Sequence, residues 1–262
     1  MIARLLREYV LRFPLARGKG FVLRHVTARL PEHAREFETR IGPVTVSARW
    51  DEVAGRRILR TGHFESAELE AALAAVAPGD TVIDVGANIG LLTCPLAWAV
   101  GSEGTVVAVE PLADNVRRLR ANLERNGLEN TQVIEAAAAE EDGRRLLRVA
   151  GDPAFASLLP IVKHSTVDKV EVPVRSLDSI WSELGQPDVA LVKIDVEGAE
   201  LDVIEGAAQL LEQVHPALIV ESDPGDRETR MRRRLDAIGY DEATPHGFAP
   251  NNYLYRARGT RT

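Results

Sequence analysis

Between residues 81 and 223 the chain alternates short, continuously apolar runs with stretches of helical spacing. The runs are TVIDVG (81–86), TVVAVEP (105–111), TQVIEAA (131–137), DVALVKIDV (188–196) and PALIVESD (216–223). Between them lie NIGLLTCPLAWAV, ADNVRRLRANLERNG, SLDSIWSELG and GAELDVIEGAAQLLEQV, each read as a helix. Strands apolar on both faces and linked by helices pair side by side in parallel, with the helices covering both faces. RRLLRVA and KVEVPVR add strands around an irregular stretch holding Pro153 and Pro160. DRETRMRRRLDAIG reads as a helix and NNYLYRAR (251–258) as a last strand. The expected fold is α/β, a doubly wound, mostly parallel sheet over residues 61–262.

Residues 1–60 differ and are expected to form an N-terminal extension. Leu5, Leu6, Tyr9, Val10 and Phe13 recur at helical spacing before Pro14, predicting an amphipathic helix over 2–13. FETRIGPVTVSARW and RRILRT, around a turn-rich DEVAG, predict a small hairpin. The extension holds 13 Lys and Arg against 6 Asp and Glu, a net +7, which leaves −14 on the rest of a chain at −7. A basic leader can meet an anionic surface; a solvated helix packed on its own domain is the simpler reading. The acidic body would repel phosphates, so nucleic acid is not an expected partner. No apolar run approaches the roughly 20 residues of a membrane span. Arg4, Arg7, Glu8 and Arg12 interrupt the N-terminus, so no secretory signal is expected. Cys94 is the only cysteine, lies in an apolar helical pattern, and permits no internal disulfide. A cytoplasmic setting follows as the expectation. A homo-oligomer stays open.

In open α/β sheets ligands bind beyond the carboxyl ends of the strands, where strand order reverses. The strand ends to inspect are therefore Asp84, Glu110, Ala137, Asp195 and Glu221. After Asp84 comes Gly86-Ala87-Asn88-Ile89-Gly90. Glycines there permit positive φ and close approach of a ligand, and Asn88 stands where it could cap the following helix. A tight strand-to-helix turn is the plainer account, but it leaves the buried acid Asp84 in need of a partner. Glu110, 24 residues after Gly86 and at the end of the second strand, can accept hydrogen bonds from both hydroxyls of a ribose. The dinucleotide fingerprint G-x-G-x-x-G lacks its middle glycine here, and an acid beside the turn would repel a pyrophosphate. A nicotinamide-dependent oxidoreductase is thus the weaker alternative. A ligand with a ribose and a cationic end fits better, and S-adenosylmethionine has a ribose, an ammonium and a sulfonium.

Six stretches, PGDTVIDVGANIG (78–90), GTVVAVEP (104–111), NLERNGLENTQVIEAAAAEEDG (122–143), VPVRSLDS (172–179), VALVKIDVEGAELDVIEGA (189–207) and PALIVESD (216–223), together resemble the FkbM-type S-adenosylmethionine-dependent methyltransferases, a branch of class I. The resemblance implies a seven-stranded, Rossmann-like sheet. It implies that Asp84, Gly86, Asn88 and Gly90 surround the methionine part of the cofactor and that Glu110 holds the ribose. Pro111 and Leu112 would flank the adenine, Ala137 and Ala138 would lie at its edge, and Glu140, Glu141 or Asp142 would accept from its amino group. Glu65, after Gly62-His63-Phe64, matches the family's Glu before the core helix and would meet the ammonium or a water. The acceptor class implied is a hydroxyl on a small or glycan-like molecule.

Lys193, Asp195 and Glu197 alternate along VALVKIDVEG and so share one side of a regular strand. A structural Lys193–Asp195 ion pair explains part of this. Their place at the strand's carboxyl end, beside the strand ending at Glu221, makes Asp195, Glu197 and Glu221 candidate catalytic residues, with Asp223 nearby. Asp195 could take the acceptor's proton; alternatively Asp195 and Glu221 could hold Mg2+. His63, His164 and His246 are rival bases. The segment 150–170 and the extension are the expected substrate-selecting elements. A non-catalytic nucleoside-binding module on the same fold is a further alternative, as is a nucleic-acid methyltransferase, for which no Asn-Pro-Pro-aromatic signature is present.

Overall fold

The computed structural model describes residues 35–61, 67–151, 156–159, 166–245 and 247–259. The sequence-based helix at 2–13, Glu65 and the three rival histidines lie outside them. The chain divides into two compact units, within residues 1–65 and 66–262.

In the first unit, strands β1 (Glu36–Ile41) and β2 (Val44–Arg49) form an antiparallel hairpin that turns at Gly42 and Pro43. Val44, Val46 and Ala48 alternate inward along β2. Helix α1 (Val53–Thr61) follows. The sequence reading put a strand at RRILRT and the hairpin turn at DEVAG, and the structure corrects both. Arg56, Arg57 and Ile58 instead give a helix with one strongly apolar side, and Ile58 is buried.

The second unit is the doubly wound domain. Its elements are α2 (Ala67–Ala74), β3 (Thr81–Val85), α3 (Thr93–Val100), β4 (Thr105–Val109), α4 (Ala113–Arg125), β5 (Thr131–Ile134), β6 (Ala137–Ala138), β7 (Gly143–Ala150), β8 (Ala156–Ser157) and β9 (Thr166–Arg175). There follow α5 (Leu177–Glu183), β10 (Val189–Ile194), α6 (Glu200–Glu205), α7 (Ala208–Gln213), β11 (Ala217–Glu221), α8 (Asp226–Ala237), β12 (Tyr240–Glu242) and β13 (Asn252–Ala257). Seven strands pair in the order β12-β13-β11-β10-β3-β4-β5, and β6-β9-β7-β8 form a smaller sheet. From β11 to β5 the pairing is parallel, and β13 and β12 run antiparallel.

The alternation of β residues divides the core. Ile83, Val85, Val107, Val109, Val192, Ile194, Leu218 and Val220 face α5, α6, α7 and α8. Val82, Val106, Leu191 and Ile219 face α2 and α3. Chain order reverses between β3 and β10, which sets the switch point at their carboxyl ends.

Three local departures from the sequence reading have physical causes. Helix α3 begins at Thr93, so Pro95 lies in its first turn, where no helical N–H is required, and breaks nothing. The stretch GAELDVIEGAAQLLEQV is two helices rather than one, and between them a Cβ on Gly206 would lie 2.1 Å from the Ala139 carbonyl oxygen, so that position takes only glycine. Strand β12 is three residues long, too short for a periodic signal.

Candidate active site

Strand register decides which side chains meet at the switch point. Val82, Val106, Leu191 and Ile219 share one face. Two residues further along each strand, Asp84, Ala108, Lys193 and Glu221 share it as well. Lys193 pairs in register with Asp84 on one side and Ile219 on the other. Its Nζ donates to Asp195 Oδ2 at 3.1 Å and lies 3.9 Å from Asp84 Oδ1. The expected Lys193–Asp195 pair is therefore present, with Asp84 as a third member.

Asp84 is fully buried. Thr93 Oγ1 donates to its Oδ2 at 2.6 Å, and its Oδ1 has no hydrogen-bond partner among the described residues. Burial, opposed by Lys193 and Thr93, holds the Asp84 carboxyl above the usual range. Burial also opposes the charge on Lys193, but Asp195 and Asp84 outweigh it and raise the ammonium above its ordinary value. The turn after Asp84 is fixed by its neighbours. A Cβ on Gly86 (φ +79) would sit 1.9 Å from the Asp195 carbonyl oxygen, so this glycine serves the close approach of two strand ends. Gly90 (φ +89) is tight against Leu119 and Cys94 in the same way. Asn88 (φ 51) does not cap α3, which has no side-chain cap. It contributes its backbone N–H instead.

That N–H donates to Glu110 Oε2 at 2.9 Å. Glu110 Oε1 accepts from the Leu112 N–H at 3.0 Å and from Asn115 Nδ2 at 3.1 Å. The residue is 4% exposed, and burial raises its carboxyl above the usual range despite these three donors. Glu110 thus staples the turn after β3 to the start of α4. Of about four acceptor positions on a carboxylate, one stays open, where the sequence reading assumed two for a ribose.

The remaining candidates divide into two groups. Pro111 is half-buried beside Glu110, and Ala138, in β6, is buried in the core. Glu140 and Glu141 are exposed. Asp142 is engaged elsewhere: its Oδ1 accepts from the Ser176 N–H and Ser179 Oγ and its Oδ2 from Arg175 Nε, tying the small sheet to α5. At the acceptor side, Asp195 has a side chain 33% exposed. Glu197 and Glu221 are exposed, and Asp223 accepts from Asn251 Nδ2 at 2.8 Å. Glu197 holds a left-handed backbone (φ 54), uncommon for a residue with a Cβ and worth about 1 kcal/mol of strain. The following turn is pinned: Gly198 N–H donates to Glu200 Oε1 at 2.7 Å, and Gly198 carbonyl accepts from Arg227 Nε at 3.1 Å. Thr93, Asn115, Glu200 and Arg227 were missed in the sequence. Thr93 and Asn115 had a findable signal, a polar residue in the first turn of the helix after an acid-ended strand. Glu200 and Arg227 had none.

Three of these acids crowd one another. Packed protein atoms and then Asp195 push Glu197 to about 8 and Glu221 to about 7, although both residues are exposed overall. Burial pushes Glu200 to about 7. Each value lies above the ordinary 4.5, so the folded protein binds more protons than the unfolded chain in this window. Their contribution to stability is complete below about pH 4.5 and is lost as pH rises through 7 and 8. The urea midpoint is therefore expected to fall between pH 5.5 and about 8.5, and Glu197→Gln to flatten that fall. A midpoint that rises over this range, or an unchanged slope in the variant, would contradict the crowding.

The donor set suits a cationic ligand with a ribose: a buried oxygen on Asp84 that accepts no hydrogen bond among the described residues, an open acceptor position on Glu110, and further acids beyond. Mg2+ does not fit. Among the described residues no group of three or more His, Cys, Asp or Glu side chains is arranged to hold a metal ion, and the cation between Asp84 and Asp195 is Lys193. No helix among the described residues is long and apolar enough to cross a membrane.

The chain is thus a doubly wound α/β domain whose first two parallel strands end in acids, with a third acid-bearing strand across the switch point. The methyltransferase FkbM domain family matches residues 84–242, and the chain belongs to that family. AMB antimetabolite synthetase AmbE of Pseudomonas aeruginosa is 32% identical over 206 residues, 65% of this chain and 10% of that protein. Hexuronic acid methyltransferase AglP of Haloferax volcanii is 29% identical over 173 residues, 62% of this chain and 68% of its own length. The 31-O-demethyl-FK506 methyltransferase FkbM of Streptomyces tacrolimicus is 28% identical over 157 residues, 49% of this chain and 60% of that protein.

Proposed function

We propose that the chain is an S-adenosylmethionine-dependent methyltransferase that O-methylates a hydroxyl of a small or glycan-like acceptor. The observation that carries this reading is the shared face of Asp84, Lys193, Asp195 and Glu221 at the switch point, with Glu110 one strand away. When bound, S-adenosylmethionine supplies a methyl group already activated by its sulfonium. The chain's own task is then to align the partners and remove a proton. In this reading Asp84 meets the ammonium end, Gly86, Asn88 and Gly90 shape the turn beneath it, and Glu110 holds the ribose. Pro111 and Ala138 border the adenine and Glu65 approaches the ammonium. Asp195, its Oδ2 held by Lys193, takes the acceptor's proton; Glu197 and Glu221 orient the acceptor. Residues 1–60 and 150–170 select it. A cytoplasmic setting belongs to the same proposal.

Support for a hydroxyl acceptor comes from the relative named for an O-demethyl compound, and support for a glycan-like acceptor from the relative named for a hexuronic acid. A nicotinamide dinucleotide suits the site less well, since buried Asp84 precedes the turn where a pyrophosphate would sit.

The test is calorimetry with S-adenosylhomocysteine followed by transfer of a labelled methyl group to hydroxylated acceptors. Glu110→Ala is expected to weaken S-adenosylhomocysteine by roughly 10–150-fold, the worth of hydrogen bonds to a charged group. Equal affinity in wild type and variant would remove the ribose reading. Cofactor binding without transfer to any acceptor would favour the non-catalytic module.

A further inference from the structure

The hydrogen bonds of Glu110 are unequally shared. Oε1 accepts two, from the Leu112 N–H and Asn115 Nδ2, whereas Oε2 accepts one, from the Asn88 N–H. A carboxylate oxygen offers about two acceptor positions, so Oε1 is filled and Oε2 keeps one. Two of the donors are backbone groups that the chain must place there in any case. Asn115 is a choice of side chain.

That choice carries a penalty. Asn115 is 2% exposed in the first turn of α4, and its Oδ1 is buried with no hydrogen-bond partner among the described residues. Turning the amide over would aim Oδ1 at a carboxylate, so the chemistry fixes the orientation. A leucine has the same branching and carries no stranded carbonyl. An amide that leaves its own oxygen unmet in order to bring its NH2 to Glu110 is there for that single bond.

We propose that Asn115 is a positioning residue of the cofactor site: it anchors Oε1 of Glu110 so that Oε2 is presented to a ribose hydroxyl. This rests on the reading of Glu110 as the ribose ligand. With the anchor gone, Oε1 is unfilled and the carboxylate can rotate, so its grip on a hydroxyl slackens while the rest of the pocket is unchanged.

The experiment is calorimetry of the full chain with S-adenosylhomocysteine and with its 2′-deoxy and 3′-deoxy analogues. Wild type is expected to bind the parent compound roughly tenfold tighter than at least one analogue, as a charged hydrogen bond requires. In Asn115→Ala and Asn115→Leu that ratio is expected to fall to within about threefold, with affinity for the analogue unchanged. Leucine keeps the branched shape and removes the stranded oxygen, so it covers the case in which alanine does not fold. A common loss of affinity for all three compounds would mean a merely structural residue and overturn the proposal. So would a ratio preserved in both variants, which would leave Glu110 as the ribose ligand. A wild type that does not distinguish the three compounds overturns the Glu110 reading and the proposal together.

Discussion

Replacing Lys193 with methionine is expected to destabilise the fold by about 3–5 kcal/mol at pH 7, measured as the shift in urea unfolding. The side chain is 14% exposed and, among the described residues, carries the cation set between Asp84 and Asp195, at 3.9 and 3.1 Å. Methionine keeps the length of the stem, so the loss isolates the charge. It leaves the Asp84 carboxylate fully buried with only the Thr93 hydroxyl to meet it. The sign of the pH effect follows. Burial already raises the Asp84 carboxyl, and losing Lys193 removes the largest influence opposing it. A raised folded-state value gives stability that is present at low pH and lost as pH rises, so the variant's deficit should shrink from pH 7 to about pH 5. Adding Asp84→Asn to Lys193→Met should recover part of the loss, a coupling of 0.5–3 kcal/mol by the usual range for groups in contact. A deficit under about 1 kcal/mol at pH 7, or simple additivity of the two changes, would show that the ammonium is not the counter-charge the geometry makes it.

The same residues show how far the sequence could be read. The β/α alternation and the acids ending β3, β4, β10 and β11 are local properties, and the parallel sheet with its switch point follows from them. Sheet register is then enough to bring Lys193 beside Asp84, since the two pair directly. What stayed hidden depends on contacts distant in sequence. Gly206, between α6 and α7, lies against the Ala139 carbonyl, and Gly86 yields to the Asp195 carbonyl rather than to a ligand. Asp142 looked like a free acid after β6 but is consumed by Ser176, Ser179 and Arg175, more than thirty residues away. Short elements were also invisible: β12 has three residues, and α1 was mistaken for a strand because Ile58 and Leu59 sit among arginines with no period long enough to choose.

The largest expected effect on activity belongs to Asp195→Asn, a loss of turnover of about 100- to 10,000-fold, the usual worth of a positioned base. Asparagine keeps the shape of the side chain and can no longer take a proton, while Lys193 Nζ can still donate to its carbonyl oxygen in place of Oδ2 at 3.1 Å. Binding of S-adenosylhomocysteine is therefore expected to stay within about threefold, because Asp84 and Glu110, the acids proposed to hold the cofactor, are untouched. Glu221→Gln is expected to cost about tenfold or less, since Glu221 lies at the exposed end of the neighbouring strand and in this reading only orients the acceptor. The acceptor itself supplies a control. A phenolic hydroxyl ionises near pH 10 and an aliphatic one far higher, so the phenol needs the base less. The Asp195→Asn deficit should thus be larger for aliphatic than for phenolic acceptors. Equal deficits for both acceptors would make Asp195 an orienting group only, and full turnover in both Asp195→Asn and Glu221→Gln would exclude the acidic edge of β10 and β11 from the chemistry.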